Sequence, residues 1–492
     1  MSVTSNPTPR PAAPPPGSAS RAQAARASSQ VAAETRLVPP PHAAVPRPLG
    51  RLPFGFGRRF FLLLVVGFVW LGPAWWNREF VYVMFAWDAL ALFAWFLDLL
   101  QLPRPSEFEL RRVWTATVAL NTPSRVQLEL RNRGRVGVSA TLVDDVPRAI
   151  RREPPTVELD VAAGKVHRAE YEILPLERGD SHLGNVFLRY RGAWQLAERR
   201  AIAQLDHTVR VYPNLEESKR HLIYLIRSRQ IELEKRLKRR RGLGCEFESL
   251  REYRDGDERR DICWSATARR GKLITKVFQI ERSQAVYILL DAGRLLRARP
   301  DPEAGLTKFD FAVNAALSLA QVALYSGDRV GMLVYGRRPQ QRIEAGRGTH
   351  HLRQIVDSLA LARVEPYEAD HARAAQVLLQ MQKQRALVVW VTDLAETPAT
   401  PDVIESAALL MPPHLVLFVV LAQAELAELV AARPADARQM YRYVAAQEML
   451  QRRELLLRQL RQQGALTVEV TPGKLSTSLV NHYLEIKERS LL

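Results

Sequence analysis

The stretch 285-AVYILLD-291 decides the fold of the C-terminal half. Its apolar run has no polar alternation, which suits a strand buried on both faces of a parallel sheet. Three more runs repeat the pattern: 329-RVGMLVYG-336, 385-RALVVWVTDL-394 and 414-HLVLFVVL-421. A fifth strand is expected at 465-ALTVEV-470. Between them lie helical patterns: 308-KFDFAVNAALSLAQVALYSGD-328, and segments near 349–361, 371–384, 402–410 and 437–463. Alternation of strand and helix predicts a doubly wound, Rossmann-like α/β domain over 283–475, closed by a C-terminal helix over 476–492. Ligands of such sheets bind at the carboxyl ends of the strands. Asp291 and Asp393 end two of them.

Working towards the N-terminus, residues 242–282 read GLGCEFESLREYRDGDERRDICWSATARRGKLITKVFQIER. Charges of both signs, aromatics and glycines crowd this block, with a turn at Asp255-Gly256. Arg251, Asp255, Asp257, Arg259, Arg260 and Arg269 suggest an ion network holding a loop, with Trp264 as an anchor. Before it, 216–242 reads as a basic helix ending in Lys235-Arg236-Leu237-Lys238-Arg239-Arg240-Arg241, suited to anionic lipid. The basic helix and the charged block together span 214–282. Residues 105–213 alternate apolar and polar residues in short stretches such as 125-RVQLELRN-132 and 186-VFLRY-190, separated by turn residues. About seven half-buried strands predict a small β-sandwich. His167, His182 and His207 are scattered within it and suggest no metal site.

Two apolar runs precede the sandwich, Phe60–Trp76 and Phe80–Leu100. Each approaches the length needed to cross ~30 Å of hydrocarbon. Asn77-Arg78-Glu79 between them leaves room only for a tight turn, so 56–104 reads as a two-helix transmembrane hairpin. Asp88 falls mid-span, where an acid is costly. Residues 1–55 are rich in Pro, Ala and Ser and read as a disordered tail. No apolar stretch in the first 30 residues suggests a signal peptide. Eight arginines precede the hairpin (Arg10, Arg21, Arg26, Arg36, Arg47, Arg51, Arg58 and Arg59) against the single acid Glu34; Arg104, Arg111 and Arg112 follow it. The positive-inside rule then places both termini and the soluble domains in the cytoplasm, at the inner membrane.

The chain has 70 Lys+Arg against 52 Asp+Glu, a net charge of +18. Such an excess expects an anionic neighbour. Its two cysteines, Cys245 and Cys263, rule out a disulfide-stapled scaffold and a Cys-rich zinc site. No Gly-x-x-x-x-Gly-Lys-Ser/Thr, His-Glu-x-x-His or Gly-x-Ser-x-Gly occurs, which excludes a P-loop ATPase and two hydrolase classes.

In order along the block, Leu250, Arg251, Glu252, Tyr253, Gly256, Asp257, Arg260, Ile262, Trp264, Ala268, Arg269, Lys272 and Lys276 resemble the hallmark of the bacterial family called domain of unknown function 58. Cys263 stands where relatives often have Asp. The resemblance extends to the order of parts: membrane hairpin, β-rich segment, signature block, von Willebrand A-like domain. It marks Arg251, Glu252, Tyr253, Asp257, Arg260, Trp264 and Arg269 as the binding or structural signature. It implies a membrane-anchored adaptor or assembly protein, not an enzyme, working with a MoxR-type AAA+ ATPase and other von Willebrand A proteins.

In the von Willebrand A pattern, Asp-x-Ser-x-Ser, a Thr and a second Asp hold Mg²⁺. Here the first element reads Asp291-Ala292-Gly293-Arg294-Leu295, so both serines are lost, and the Thr loop offers Asp370. The resemblance therefore implies a degenerate metal site of Asp291, Asp370 and Asp393, with Mg²⁺ as the candidate cofactor. Alternatively Asp291 and Asp393 are structural, capping helices and pairing with Arg294. A second functional reading is a metal-assisted hydrolase using Arg251, Glu252, Asp257 and Arg260 near Asp291. A third is lipid or nucleic-acid binding by the basic helix. The basic cluster lacks interleaved aromatics, so no nucleic-acid partner is expected.

Overall fold

The computed structural model describes residues 37–214, 246–254, 259–279, 284–300, 305–394 and 400–489. The basic helix expected between 216 and 242, its cationic run 235–241, and Asp257 of the signature lie outside the described residues.

Three short strands open the described chain: β1 (His42–Ala44), β2 (Arg47–Pro48) and β3 (Phe54–Phe56). Composition had assigned this stretch to the disordered tail. Its strands pair with the sandwich: β1 joins strand Phe108–Trp114, and β2 and β3 join strand Ala197–Ala203. Edge positions tolerate the prolines and arginines that made the segment look unstructured.

The chain then enters its apolar region. Helix α1 (Arg58–Gly67) passes into a 3-10 turn at Phe68–Trp70 and a helical turn at Leu71–Ala74. Helix α2 (Glu79–Gln101) follows and is continuous over 23 residues, about 35 Å. Among the described residues only this second run gives a helix long and apolar enough to cross a membrane. The first run, expected as a matching span, is broken where Gly67, Gly72 and Pro73 weaken helical continuity. Most of α2 is exposed, including Tyr82, Phe85, Leu90 and Phe93.

The carboxyl end of α2 is fixed to the next domain. Asp98 is buried and accepts hydrogen bonds from the amides of Leu196 (2.9 Å) and Ala197 (2.8 Å). Trp95 Nε1 donates to the Gly55 carbonyl at 3.2 Å, and its ring packs with Phe54, Phe56 and Phe60.

The β-rich segment is a sandwich, as its alternation predicts. Its strands are β4 (Phe108–Trp114), β5 (Ser124–Asn132), β6 (Val138–Asp144), β7 (Thr156–Val161), β8 (Val166–Ile173), β9 (Gly179–Leu183), β10 (Val186–Arg191), β11 (Ala197–Ala203) and β12 (His207–Val211). One sheet has the order β1-β4-β5-β8; the other runs β2-β11-β10-β6-β7, with β3 also on β11. Strands β9 and β12 form a separate pair. Alternate residues such as Leu110, Leu128, Leu142 and Leu188 face one core. Within it, buried Arg112 pairs with buried Asp144. Arg112 also donates to the carbonyls of Leu205 and Gly184, and Tyr171 donates to Asp144.

Strand β13 (Glu246–Glu252), helix α3 (Trp264–Arg270) and strand β14 (Ile274–Gln279) carry the signature block. β13 and β14 pair with each other and, among the described residues, with no strand of the larger sheets.

The C-terminal sheet has six strands: β15 (Ala285–Asp291), β16 (Arg329–Tyr335), β17 (Pro339–Gly346), β18 (Leu387–Thr392), β19 (Leu415–Leu421) and β20 (Leu466–Val470). Their order is β17-β16-β15-β18-β19-β20, parallel except for the β16–β17 hairpin. Helices α4 (Lys308–Tyr325) and α5 (Gly348–Leu361) pack on one face. Helices α6 (His371–Met381) and α7 (Thr400–Leu410) pack on the other. After α8 (Ala424–Ala431), the long helix α9 (Ala437–Gln462) joins α6 and α7, and α10 (Leu475–Glu488) joins α4. All five strands read from the apolar runs are present.

Sandwich and α/β domain meet through charged and apolar contacts. Arg178, almost fully buried, binds Asp310 at 2.8 Å and the Leu359 carbonyl at 3.0 Å, and lies over the Phe309 ring. Tyr212 packs within the core of the α/β domain.

Candidate functional site

The chain leaves β15 for β16 on one side and returns to β18 on the other, so the strand ends of β15 and β18 flank a topological switch point. Asp291 and Asp393 follow from that topology. Asp291 is buried; its Oδ1 accepts from the Gly293 amide (2.7 Å) and its Oδ2 from the Thr392 hydroxyl (2.6 Å). Burial pushes the Asp291 carboxyl above the ordinary range, opposed by His371, Thr392 and the Gly293 amide, while Asp393 adds to the rise. Gly293 lies against Ala369, and a Cβ there would come within 2.9 Å of the Ala369 amide. This close approach explains glycine where the pattern has serine.

Asp393 does not face an open coordination site. Its Oδ2 binds the ammonium of Lys308 at 2.6 Å, and its Oδ1 lies 3.4 Å from Arg453 Nη1. The side chains of Lys308, Asp393 and Arg453 are 5%, 1% and 6% exposed. Lys308 reaches this position as the first residue of α4. The capping box Thr307–Asp310 fixes that helix start, with Thr307 accepting from the Asp310 amide and Asp310 from the Thr307 amide. A protein cation thus neutralises the Asp393 carboxylate from within the fold. The third candidate, Asp370, is an N-cap: it accepts from the Arg373 amide at 2.8 Å and starts α6. Arg294 pairs with Glu368 at 2.8 Å, not with Asp291 or Asp393. Among the described residues no three His, Cys, Asp or Glu side chains converge to hold a metal. The donors present do not fit Mg²⁺: Asp393 is already paired with two protein cations, and the three acids of the expected triad do not converge.

Beneath Asp291 lies a buried chain that the sequence did not announce. Trp390 Nε1 donates to the Tyr335 hydroxyl, which lies 3.0 Å from His371 Nδ1. Burial raises the Tyr335 phenol well above its usual range. Tyr335 and Trp390 lie on β16 and β18, on either side of β15, within otherwise aliphatic runs. Those polar-tipped aromatics, and Lys308 directly after a capping Thr, were the available signals.

Around the switch point, a pocket of about 460 Å³ opens between the turn after β16 and the loop before α6. Arg337, Arg338 and Arg373 line it together with Glu365, Tyr367 and Asp370.

Asp255 and Asp257, the acids of the expected ion network, lie outside the described residues. Glu252 is exposed and pairs with Lys272 at 3.1 Å. Arg251 donates to the Glu252 carbonyl, and the Tyr253 amide to the Leu273 carbonyl. Trp264, expected as an anchor, is 67% exposed at the start of α3, and Arg269 is exposed on the same helix. The backbone of Arg260 lies in a 3-10 turn, Arg259–Asp261. The described part of the block is a small hairpin-and-helix unit that presents Trp264 to solvent.

Residues 249–439 match the family described as "Protein of unknown function DUF58", the family that the signature block resembles. The curated protein "Uncharacterized protein YeaD" of Bacillus subtilis (strain 168) is 25% identical over 224 residues, 45% of this chain and 52% of that protein. The chain spans about half the length of this curated relative. Similar solved structures include a von Willebrand factor type A protein from Catenulispora acidiphila (11% identity, TM-score 0.26, 42% of this chain and 43% of that one). The conserved hypothetical protein BatB from Bacteroides thetaiotaomicron is also similar (14% identity, TM-score 0.29, 42% of this chain and all of that one).

Proposed function

For a chain whose residues 249–439 match this family of unknown function, we propose the role of a membrane-anchored adaptor, whose von Willebrand A-like domain recruits a protein partner on the cytoplasmic side. The reading assigns no catalysis to the chain. It rests above all on Lys308: with an internal cation held against Asp393, the strand-end face is equipped to dock a partner without a metal ion. A MoxR-type AAA+ ATPase is the partner this reading expects.

The fold supports a double-pass anchor. Strands β1–β3 precede the apolar region, and their partners β4 and β11 follow it. In this reading both flanks, joined by backbone pairing, lie on one side of the bilayer. If α2 crosses, the segment 58–78 must cross back. Residues 58–74 supply about 25 Å of helix and turn for this, close to the hydrocarbon thickness. Asp98, Trp95 and Tyr190 then tie the anchor to the sandwich, and Arg178 ties the sandwich to the docking domain.

Site-specific photo-crosslinking in native membranes tests this role. A photo-reactive residue replacing exposed Tyr367 is expected to yield adducts containing an AAA+ ATPase. Adducts with lipid alone, or turnover of a phosphoester by the purified full-length chain, would contradict the adaptor reading.

A further inference from the structure

The 460 Å³ pocket at the strand ends has a charge pattern with one physical consequence. Both of its acids accept hydrogen bonds from neutral N–H donors. Glu365 accepts from the Arg337 amide (2.9 Å) and from Gln340 Nε2 (2.9 Å). Asp370 accepts from the Arg373 amide as the α6 cap. The side chains of Arg337, Arg338 and Arg373 form no ion pair among the described residues. Arg337 lies 5.8 Å from the centroid of the exposed Tyr367 ring, which holds its guanidinium by cation–π contact. Three guanidinium forks therefore face solvent around an aromatic platform, while the acids beside them are spent on amides.

We propose that this pocket is a metal-independent carboxylate receptor for an acidic loop of a protein partner. Guanidinium groups match a carboxylate through paired N–H donors. Three arginines against Glu365 and Asp370 leave one net positive charge, which suits a monoanion. A phosphate dianion would instead lie against two carboxylates. Tyr367 offers its ring to the methylenes and backbone of the bound loop. This assignment rests on the adaptor reading and specifies what its docking face recognises.

The test uses the full-length chain in detergent micelles and a fluorescein-labelled hexaglutamate peptide, followed by anisotropy. Arg338→Glu with Arg373→Glu is expected to weaken binding at least tenfold, about 1.4 kcal/mol. Arg239→Glu with Arg240→Glu makes the same charge change in the basic run and is expected to stay within threefold. Arg338→Lys with Arg373→Lys keeps the charge but removes the fork, and is expected to lose part of the affinity with the fold intact. EDTA leaves binding unchanged, and the monoanion N-acetyl-glutamate α-methylamide displaces the peptide at lower concentration than inorganic phosphate. Wild-type affinity in the pocket reversal, loss of binding in EDTA, or stronger displacement by phosphate overturns the proposal. If wild type binds no peptide while a photo-crosslinker at exposed Met440 on α9 still captures an AAA+ ATPase, the receptor fails and the adaptor reading stands. If both experiments fail, both readings fall.

Discussion

Replacing Lys308 with methionine removes the internal cation while keeping most of the side-chain volume. Lys308 and Asp393 are 2.6 Å apart and almost fully buried. Removing one member of such a pair typically costs 3–5 kcal/mol, because the remaining charge stays buried. Arg453, 3.4 Å from the other Asp393 oxygen, retains part of the compensation. The expected loss therefore lies near the lower bound, about 3 kcal/mol. If local opening limits exchange, amide hydrogens in β15 and β18 then exchange about 100-fold faster. A thermal transition of the α/β domain falls by roughly 6–12 °C. Hydrogen exchange followed by mass spectrometry on the full-length chain reads both strands separately from the sandwich. Asp393→Asn added to Lys308→Met is expected to recover part of the loss, since no lone carboxylate remains. Millimolar Mg²⁺ or EDTA leaves wild type unchanged. Unaltered exchange in Lys308→Met, or a clear stabilisation of wild type by Mg²⁺, would refute the internal-cation reasoning.

Three further outcomes follow from other buried groups. Asp98→Ala leaves the amides of Leu196 and Ala197 without their acceptor; a loss of about 1–3 kcal/mol is expected, seen as faster proteolysis between α2 and β11. Arg112→Ala strands buried Asp144 and is expected to cost about 3–5 kcal/mol, measured as a lowered melting transition of the sandwich with the α/β transition little changed. His207 is held neutral, its pKa lowered to about 4 mainly by burial. A base with a lowered folded pKa gives stability that is complete above its unfolded value near 6.5 and is lost as pH falls towards 4. After allowance for partial solvent screening, roughly 2 kcal/mol of sandwich stability disappears over that window, and His207→Phe flattens the profile in denaturant titrations.

The parts legible in the sequence were those whose signal is local. Continuous apolar runs such as 285-AVYILLD-291 and 387-LVVWVT-392 mark strands because central parallel strands are buried on both faces. β17 was missed because PQQRIEAG carries one buried residue, Ile343, and sits at the sheet edge. β1–β3 escape the pattern for a related reason: each is only two or three residues long, too short for an alternation to show. Helix α5 begins at Gly348 without a side-chain cap. The acids of the site could be placed by topology, since strand ends at a switch point are fixed by chain order. Their partners could not, because Lys308 and Arg453 lie 85 and 60 residues from Asp393 along the chain. Trp264 was misjudged because its size suggests burial, whereas its helix lies on a hairpin that leaves the ring exposed.

Sidedness of the chain tests the anchored-platform account most directly. With Cys245 and Cys263 changed to Ser, single cysteines are placed at Leu52, Asn77 and Arg338 and probed with a membrane-impermeant maleimide on right-side-out vesicles. The account predicts labelling of Asn77→Cys alone, with Leu52→Cys and Arg338→Cys reacting only after the vesicles are opened. Labelling of Arg338→Cys in sealed vesicles, or equal labelling of Leu52→Cys and Asn77→Cys, would contradict it.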